Sequence, residues 1–330
     1  MTTGPGRTRR VVVYDPDGIN PYGREIAAQL AARGLAVTAV VPGDAEWRPR
    51  GVRTLAVLPH NRSGAGGVAR QSFRLLRGLL TVLRLALAND AAWLVAWTRT
   101  PHEEAVLALV ARLRRVHVVV HNPGARDVRR RTLRWLRAAA ASRVVHSASL
   151  ATGGEVVARH PLYTEWLRWS APGERPPHDG LRLLVLGAQR PDKGGAALPA
   201  LLDALTPGVT VVACGKGPLD PALRGRVEDR TAADFVRDRD LAAALMSCDA
   251  LLAPYAGATQ SGTVALAVTA GLGVLGYDSG AVAELAGRDG LVPPGDTAAL
   301  LDRIARAARG DLPAPAADGA TDDWLRVVSA

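Results

Sequence analysis

Short apolar runs rich in β-branched residues alternate with longer runs of helical periodicity along almost the whole 330-residue chain. The alternation starts with a strand pattern, "RRVVVYDP", continues with a helix pattern, "YGREIAAQLAARG", and returns to a strand pattern in "LAVTAVVPG". This β–α–β order is that of a Rossmann-like unit, here without the full G-x-G-x-x-G fingerprint. Because the alternation repeats, we predict an α/β protein in which helices cover parallel sheets.

A stretch rich in proline and glycine, "APGERPPHDG", divides the alternation into two series. We predict a Rossmann-like domain over 1–170, a linker over 171–180 and a second Rossmann-like domain over 181–308. The last segment, 309–330, ends in a short helix pattern and is expected to pack back on the first domain. Two such domains imply a cleft between them, where proteins of this class bind ligands.

Composition restricts the class further. A hydrophobic content of 48% with 22% charged residues indicates folded domains with their own cores. The N-terminal sequence leads directly into a strand pattern, and no run reaches the roughly 18 apolar residues of a spanning helix, so we expect a cytoplasmic protein. The two cysteines, Cys214 and Cys248, lie in apolar contexts typical of buried thiols, and no Cys/His spacing indicates zinc.

Positive charge is concentrated in the first half of the chain. Residues 1–165 contain 25 arginines and 11 acidic residues, whereas residues 166–330 contain 16 basic and 20 acidic residues. This asymmetry indicates an anionic partner: a membrane surface, a nucleic acid or a phosphorylated acceptor. Nucleic acid is disfavoured, because aromatic residues are not interleaved with the arginine clusters.

Two arginine-rich stretches bear on the membrane alternative. The helix predicted over 68–88 places four arginines near one stripe among leucine and valine, and "RDVRRRTLRWLRAAA" is also basic. Such stripes are typical of helices that lie on anionic lipid, on the inner face of the membrane, and equally of solvent-facing surface helices.

Only two of the 41 basic residues are lysines, Lys193 in "GAQRPDKGG" and Lys216 in "ACGKGP". Both follow a predicted strand and lie beside glycine. In the first of these loops, Arg190 and Lys193 precede a helix N-terminus, where main-chain amides and the helix dipole favour an anion. A guanidinium and an ammonium at that place predict a diphosphate site, and the alternative is a solvated βα loop.

A second strand–loop–helix pattern, "DALLAPYAGATQSGTVALAVTAG", belongs to the same predicted sheet. Ser261 or Thr259 would cap the helix, and Gly262 lets a ligand approach the backbone closely. The amides of Ser261, Gly262 and Thr263 are therefore predicted to face the same anion as the Lys193 loop. The alternative is a capped helix that binds nothing.

Four stretches of the second half, in this order, resemble the nucleotide-sugar domain of GT-B glycosyltransferases of family 4. They are "LGAQRPDKGG", "VVACGKGP", "CDALLAPYAGATQSGTVALAVTAGLGVLGYDSGAVAEL" and "GLVPPGDTAALLDRI". The resemblance covers 157–308, starting from "VVARHPLY", whereas the N-terminal half is similar in layout only. It implies a GT-B fold, with two Rossmann-like α/β/α domains facing a cleft, and sugar transfer from a UDP- or GDP-sugar without a metal.

The resemblance also implies individual contacts. Gly215 and Lys216, in the Gly-rich turn, would contact the donor sugar or nucleoside, as would Thr259 and Gln260. The family usually has two glutamates eight positions apart around the last helix, one for the sugar and one for the ribose. Aligned on "TAGLGVLGYD", those positions are Thr259 and Ala267, so both carboxylates are missing here.

The acceptor side offers three candidates for a general base or a sugar contact. His121 ends a predicted strand in "VVVHNPGARD", where the resemblance implies a histidine or an acid in the cleft. Asp127 follows in the same loop, and Asp17 lies with Asp15 after the first strand. A base near the acceptor hydroxyl serves an inverting enzyme, whereas a retaining enzyme needs none. We place His121 first, and the alternative for each residue is loop capping.

The expected activity is therefore sugar transfer to a hydroxyl acceptor, lipid-linked or phosphorylated, in glycan, glycolipid or natural-product synthesis, with no cofactor. The alternatives are a nucleotide-sugar-binding protein without transferase activity, or a nucleotide-sugar epimerase. An epimerase would need several cleft carboxylates in the second domain, which the sequence does not show. A basic nucleic-acid module would instead bind with a steep dependence on salt.

Overall fold

The computed structural model describes residues 9–60, 67–121, 131–171, 173–187, 197–255, 257, 261–279, 282–315 and 321–330. The chain packs as two compact units, Met1–Pro161 with Ala320–Ala330, and Leu162–Gly319. Each unit contains one parallel sheet with helices packed against it.

The sheet of the first unit has the strand order β3-β2-β1-β4-β5-β6-β7. Its strands are β1 (Arg10–Tyr14), β2 (Ala36–Pro42), β3 (Arg53–Leu58), β4 (Ala92–Val95), β5 (Val116–Val119), β6 (Ser142–Val145) and β7 (Val156–Val157). Its helices are Tyr22–Ala32, Val68–Ala88, Pro101–Leu113, Arg131–Ala139 and Thr321–Ser329, with a 3-10 turn at Ala148–Leu150. The order reverses between β1 and β4, and open α/β sheets bind ligands beyond the carboxyl ends of strands at such a point.

The sheet of the second unit has the order β10-β9-β8-β11-β12-β13. Its strands are β8 (Leu181–Leu186), β9 (Val209–Lys216), β10 (Glu228–Ala232), β11 (Ala250–Ala253), β12 (Gly273–Tyr277) and β13 (Leu291–Val292). Its helices are Thr164–Ser170, Leu198–Asp203, Asp238–Met246, Gly262–Thr269, Val282–Ala286 and Thr297–Ala308, with a 3-10 turn at Pro221–Leu223. The order reverses here between β8 and β11.

The central strands are apolar on both faces because helices cover both sides of each sheet. In β1 every residue after Arg10 is buried, and β11 and β12 are buried along their full lengths. The two sheets have separate cores, one around Trp93 and one around Leu252. The continuous apolar runs in the sequence therefore correspond to the central strands.

Most predicted elements occur where periodicity places them, and the helix predicted over 68–88 has those bounds. Three short strands were missed. β7 and β13 have two residues each, too few for a pattern, and β10 reads "EDRTA", a polar edge strand. β9 extends three residues beyond its predicted end because Gly215 continues the ladder opposite Thr231.

The Pro- and Gly-rich segment predicted as a linker, 171–180, lies inside the second unit. The Arg175 guanidinium donates to the carbonyl of Cys248, and His178 Nε2 lies 3.4 Å from a carboxylate oxygen of Asp249. These side chains attach the segment to the start of β11, a contact that composition does not reveal.

Candidate functional site

Three imidazoles meet at the carboxyl edge of the first unit's sheet. His121 follows β5, His146 follows β6 and His160 follows β7. The ring of Tyr22, fully buried at the start of its helix, lies 5.0, 5.4 and 5.1 Å from these three rings. With Trp324 from the C-terminal helix, 6.2 Å from Tyr22, these residues form what we call the Tyr22 cluster.

His121 is held on three sides. The indole of Trp97 stacks on its imidazole at a centroid distance of 3.5 Å and an interplanar angle of 5°. Its Nε2 lies 2.8 Å from the carbonyl oxygen of Ala96, and the edge of Tyr22 meets it from another direction. Because a carbonyl only accepts, Nε2 carries a proton in this arrangement. A general-base role for His121 would use the other nitrogen, Nδ1, and it stays a prediction.

His146 and His160 are deeper and neutral. His146 Nδ1 lies 2.8 Å from the carbonyl oxygen of Ala158, so Nδ1 carries the proton and Nε2 accepts from the Tyr22 hydroxyl, also at 2.8 Å. Burial lowers the pKa of His146 well below its ordinary value, and it lowers the pKa of His160 to about 4. Both rings therefore serve as uncharged supports at neutral pH.

The other two acceptor-side candidates are less informative. Asp17 caps its own loop, with Oδ1 accepting from the amides of Ile19 at 3.0 Å and Asn20 at 3.3 Å. This is the loop-capping alternative, and a catalytic role for Asp17 stays a prediction. Asp127 lies outside the described residues.

Asp15 is the unusual carboxyl group of this edge. It is fully buried after β1, where Oδ1 accepts from the amide of Asp17 at 3.1 Å and Oδ2 has no partner among the described residues. Burial raises the pKa of Asp15 to about 8, although the Arg24 guanidinium opposes the rise. The side chain packs so closely on Gly23 that a Cβ there would lie 2.7 Å away. At neutral pH this group is mainly a protonated acid.

The sequence prediction missed most of the Tyr22 cluster. His146 follows the β-branched run "RVV" as His121 follows "VVV", so it carried the same signal. No sequence signal connects Tyr22 to Trp324, since about 300 residues separate two aromatic side chains that only the fold brings together.

The carboxyl edge of the second unit's sheet is built mainly from backbone. Gly187 follows β8 with φ of +102°, a left-handed conformation that favours glycine. Its carbonyl oxygen would lie 2.2 Å from a Cβ on Gly215, so the site admits no side chain at Gly215. The methyl group of Thr263 would lie 3.5 Å from a Cβ on Gly187. Three predicted donor-site elements therefore meet here: the end of β8, the end of β9 and the start of the helix Gly262–Thr269.

Ser261 caps that helix, as predicted. Its Oγ accepts from the amide of Val264 at 3.3 Å and lies 2.7 Å from Thr263 Oγ1. Thr263 Oγ1 is in turn 2.9 Å from the hydroxyl of Tyr255, near the start of the loop that connects β11 to this helix. The first turn of an α-helix presents amides that its own ladder does not use, and these favour an anion. A binding role for Ser261, Gly262 and Thr263 stays a prediction.

Lys216 is the last residue of β9, and its ammonium group lies close to a carboxylate and an aromatic ring. Its Nζ lies 3.7 Å from Asp234 Oδ1 and 3.9 Å from the centroid of the Phe235 ring. Ala267, aligned with the missing ribose-contacting glutamate, is fully buried in its helix and has no surface on which to meet a ligand. The remaining predicted donor contacts lie outside the described residues: Arg190, Lys193, Thr259 and Gln260.

Within the part of the chain that the structure describes, no group of three or more His, Cys, Asp or Glu side chains is placed to hold a metal ion. Over the same residues, no helix has the length and apolar character needed to cross a membrane.

Comparison with known proteins gives one family. Residues 181–309 match the family model described as Glycosyl transferases group 1. No curated protein sequence is significantly similar to the chain.

The solved structures similar in fold include the following three. Sucrose-phosphate synthase from Thermosynechococcus elongatus has 14% sequence identity and a TM-score of 0.58, over 97% of this chain and 94% of that one. Alr3699/HepE of Anabaena, in complex with UDP-glucose, has 14% identity and a TM-score of 0.58, over 97% and 92%. A Listeria monocytogenes protein assigned as a UDP-N-acetylglucosamine 2-epimerase has 12% identity and a TM-score of 0.57, over 98% and 95%. At these identities the likeness establishes the fold alone, and it confirms the predicted α/β class with two Rossmann-like sheets.

Proposed function

We propose that this chain is a GT-B glycosyltransferase of the group 1 type, and that it transfers a sugar from a UDP- or GDP-sugar to a hydroxyl acceptor without a metal ion. The observation that supports this proposal most concerns residues 181–309, which match the family model. Within these residues, the strand ends at Gly187 and Gly215 lie beside a helix N-terminus that Ser261 caps. Such an edge suits a diphosphate, because it offers amides at close range and no side chain in the way.

The second unit supplies the leaving-group chemistry in this proposal. As the bond between sugar and diphosphate breaks, negative charge grows on the diphosphate oxygen. Main-chain amides at Gly262 and Thr263, with the cations of Arg190 and Lys193, would stabilise that charge in place of a metal. Gly215 would let the donor approach the backbone, while Lys216, Thr259 and Gln260 would contact its sugar or nucleoside.

The first unit supplies the acceptor chemistry. In this proposal the Nε2 proton of His121 is directed at the Ala96 carbonyl, and Nδ1 would accept the proton of the acceptor hydroxyl in an inverting reaction. Alr3699/HepE binds UDP-glucose on a similar fold, which supports UDP as the first nucleotide to try.

A thermal-shift screen tests donor binding. Wild type is heated with UDP, GDP, ATP and the UDP- and GDP-sugars, and the screen is repeated with Lys193→Ala. A ligand at 100 times its Kd stabilises by about 2.7 kcal/mol, so one nucleotide sugar should raise the melting temperature by several degrees. The increase should shrink in the variant. No increase with any nucleotide would contradict the proposal, and an equal increase in the variant would remove Lys193 from the diphosphate site.

Two alternatives share the donor site. The missing glutamates favour a binding protein without transferase activity, and the epimerase alternative is supported by the similar fold of a protein assigned to that class. The products separate them. A transferase releases the nucleoside diphosphate only as acceptor is consumed, an epimerase returns an altered nucleotide sugar without acceptor, and a binder returns the donor unchanged.

The acceptor is proposed to be lipid-linked, with the first unit on an anionic membrane surface. The helix Val68–Ala88 exposes large apolar side chains at Val68, Phe73, Leu76, Leu80 and Leu87. Its charged residues are four arginines and no acid. The helix Pro101–Leu113 packs between it and Arg131–Ala139, where Trp135 is 51% exposed. Arginine next to exposed aromatic rings is suited to the headgroup region.

Vesicle sedimentation tests this surface. Wild type should pellet with vesicles containing anionic phospholipid and stay in solution with neutral ones. Leu76→Ser and Phe73→Ser should weaken the binding, whereas Arg306→Ser, a surface arginine of the second unit, should not. Equal binding to neutral and anionic vesicles, or no loss in the serine variants, would contradict the membrane proposal.

A further inference from the structure

We infer that Tyr22 is a positioning residue for His121, and that the C-terminal helix holds Tyr22 in place. The inference rests on the proposed function, in which His121 accepts the acceptor's proton. It goes further by assigning a role in that step to a side chain that touches neither substrate.

The contacts place Tyr22 at the centre of the cluster. Its ring is fully buried and meets His121 edge-on, with centroids 5.0 Å apart and an angle of 73°. Trp97 covers a face of the same imidazole at 3.5 Å. Together with the Ala96 carbonyl on Nε2, these two rings leave the His121 side chain little freedom to rotate or to move its proton to the other nitrogen.

The Tyr22 ring is itself fixed through its hydroxyl. His146 has its proton on Nδ1, bound to the Ala158 carbonyl, so its Nε2 must accept and the Tyr22 hydroxyl must donate. A buried, satisfied hydrogen bond of this kind defines one orientation of the phenol, because any other would leave a buried nitrogen without a partner.

The C-terminal helix closes the cluster from the remaining direction. Trp324 is fully buried and stands at 87° to the Tyr22 ring, and it also meets His146 at 5.7 Å. Asp323, the residue before it, accepts from the backbone amide and the Nε of Arg159, both at 3.1 Å. Residues 321–330 thus contribute to the acceptor-side machinery although they follow the whole second unit in the chain.

Two variants distinguish the contribution of the Tyr22 ring from that of its hydroxyl group. Tyr22→Phe keeps the ring against His121 and loses only the bond to His146, whereas Tyr22→Leu loses both. We expect kcat to fall in the order wild type, Tyr22→Phe, Tyr22→Leu, with about a threefold loss for the first variant and about 10- to 100-fold for the second. The KM for the donor should stay the same, because the donor contacts lie in the second unit.

Nitrogen-15 NMR of the His121 imidazole gives a readout that does not depend on turnover. Wild type should show the Nε2–H tautomer, Tyr22→Phe nearly the same pattern, and Tyr22→Leu a mixture of tautomers. Tyr277→Phe and Tyr277→Leu serve as matched controls, since Tyr277 is also buried and its hydroxyl lies 3.1 Å from Thr297 Oγ1 in the second unit. Both should leave the His121 spectrum unchanged.

The outcomes are distinct. An unchanged His121 pattern and unchanged kcat in Tyr22→Leu would overturn the inference. If Tyr22→Leu melts below the assay temperature, Trp324→Phe repeats the test from the other side of the ring, and an unaltered pattern there counts against it too. If wild type shows no transfer but the tautomer still depends on Tyr22, the positioning role stands and the proposed base is wrong.

Discussion

The two sheets present very different carboxyl edges. The first unit's edge consists of large side chains, most of them buried: three imidazoles, a phenol, two indoles and a carboxyl group with a raised pKa. The second unit's edge consists of glycine backbone, a serine cap and short hydroxyl side chains. In the proposed function, one edge would fix a proton, and the other would let an anion reach the main chain. This difference supports the proposed division of roles, with proton transfer in the first unit and charge stabilisation in the second.

The largest expected effect is the loss of transfer rate in His121→Ala, which tests whether proton transfer and donor binding belong to different units. His121→Ala should lower the transfer rate by about 10²- to 10⁴-fold, the usual contribution of a positioned base, in an inverting enzyme. The thermal shift caused by the donor should stay within a degree of the wild-type shift, because the amides proposed to bind the diphosphate are in the other unit. Single-turnover rates and melting curves on the same preparations measure both. A full loss of donor binding would show that the roles are not divided in this way.

Gly215→Ala tests the backbone edge. A Cβ there would overlap the Gly187 carbonyl at 2.2 Å, so the two strand ends must separate, at a cost of about 1–3 kcal/mol in the free energy of unfolding. Urea unfolding measures the change. Gly257→Ala is the matched control, since a Cβ there meets nothing within 4 Å among the described residues. Equal stabilities for the two variants would mean that the close approach of β8 and β9 does not constrain the second unit.

Asp15→Asn tests the buried acid of the first unit. The pKa of Asp15 is raised to about 8 in the folded protein, so its contribution to stability is complete below about pH 4 and is lost as pH rises toward 8. Asparagine has no such loss. The variant should therefore melt close to wild type at pH 5 and about 5 °C above it at pH 8. A difference that is independent of pH would show that Asp15 ionises normally.

The smallest expected effect compares the helix caps of the two units. Ser261→Ala and Thr100→Ala each remove a side-chain oxygen that accepts from a first-turn amide, at 3.3 Å in both cases. Each should cost about 1 kcal/mol of stability. Only Ser261→Ala should also weaken donor binding, because only that helix begins at the anion site. Equal donor affinity in the two variants would reduce Ser261 to a structural cap.

The sequence predicts the second unit's edge better than the first unit's. Glycines, a cap residue and lysines placed after strands are local signals, so the Ser261 cap and the position of Gly215 were identifiable from short stretches. The Tyr22 cluster depends on three strand ends, the start of the helix Tyr22–Ala32 and the C-terminal helix, and no local sequence pattern predicts that these five places meet. Asp15 shows the same limit of sequence-based prediction. Its position after β1 can be predicted from the sequence, but its burial against Gly23 cannot.

The most direct test of the account is a transfer assay in the presence of EDTA. Wild type is incubated with the nucleotide sugar that gives the largest thermal shift and with candidate hydroxyl acceptors, including lipid-linked ones. Free UDP or GDP and the glycosylated acceptor are then measured together. The account predicts that the two products appear in equal amounts and that EDTA does not lower their rate. A donor that binds but is returned intact or epimerised, with every acceptor unmodified, would contradict it.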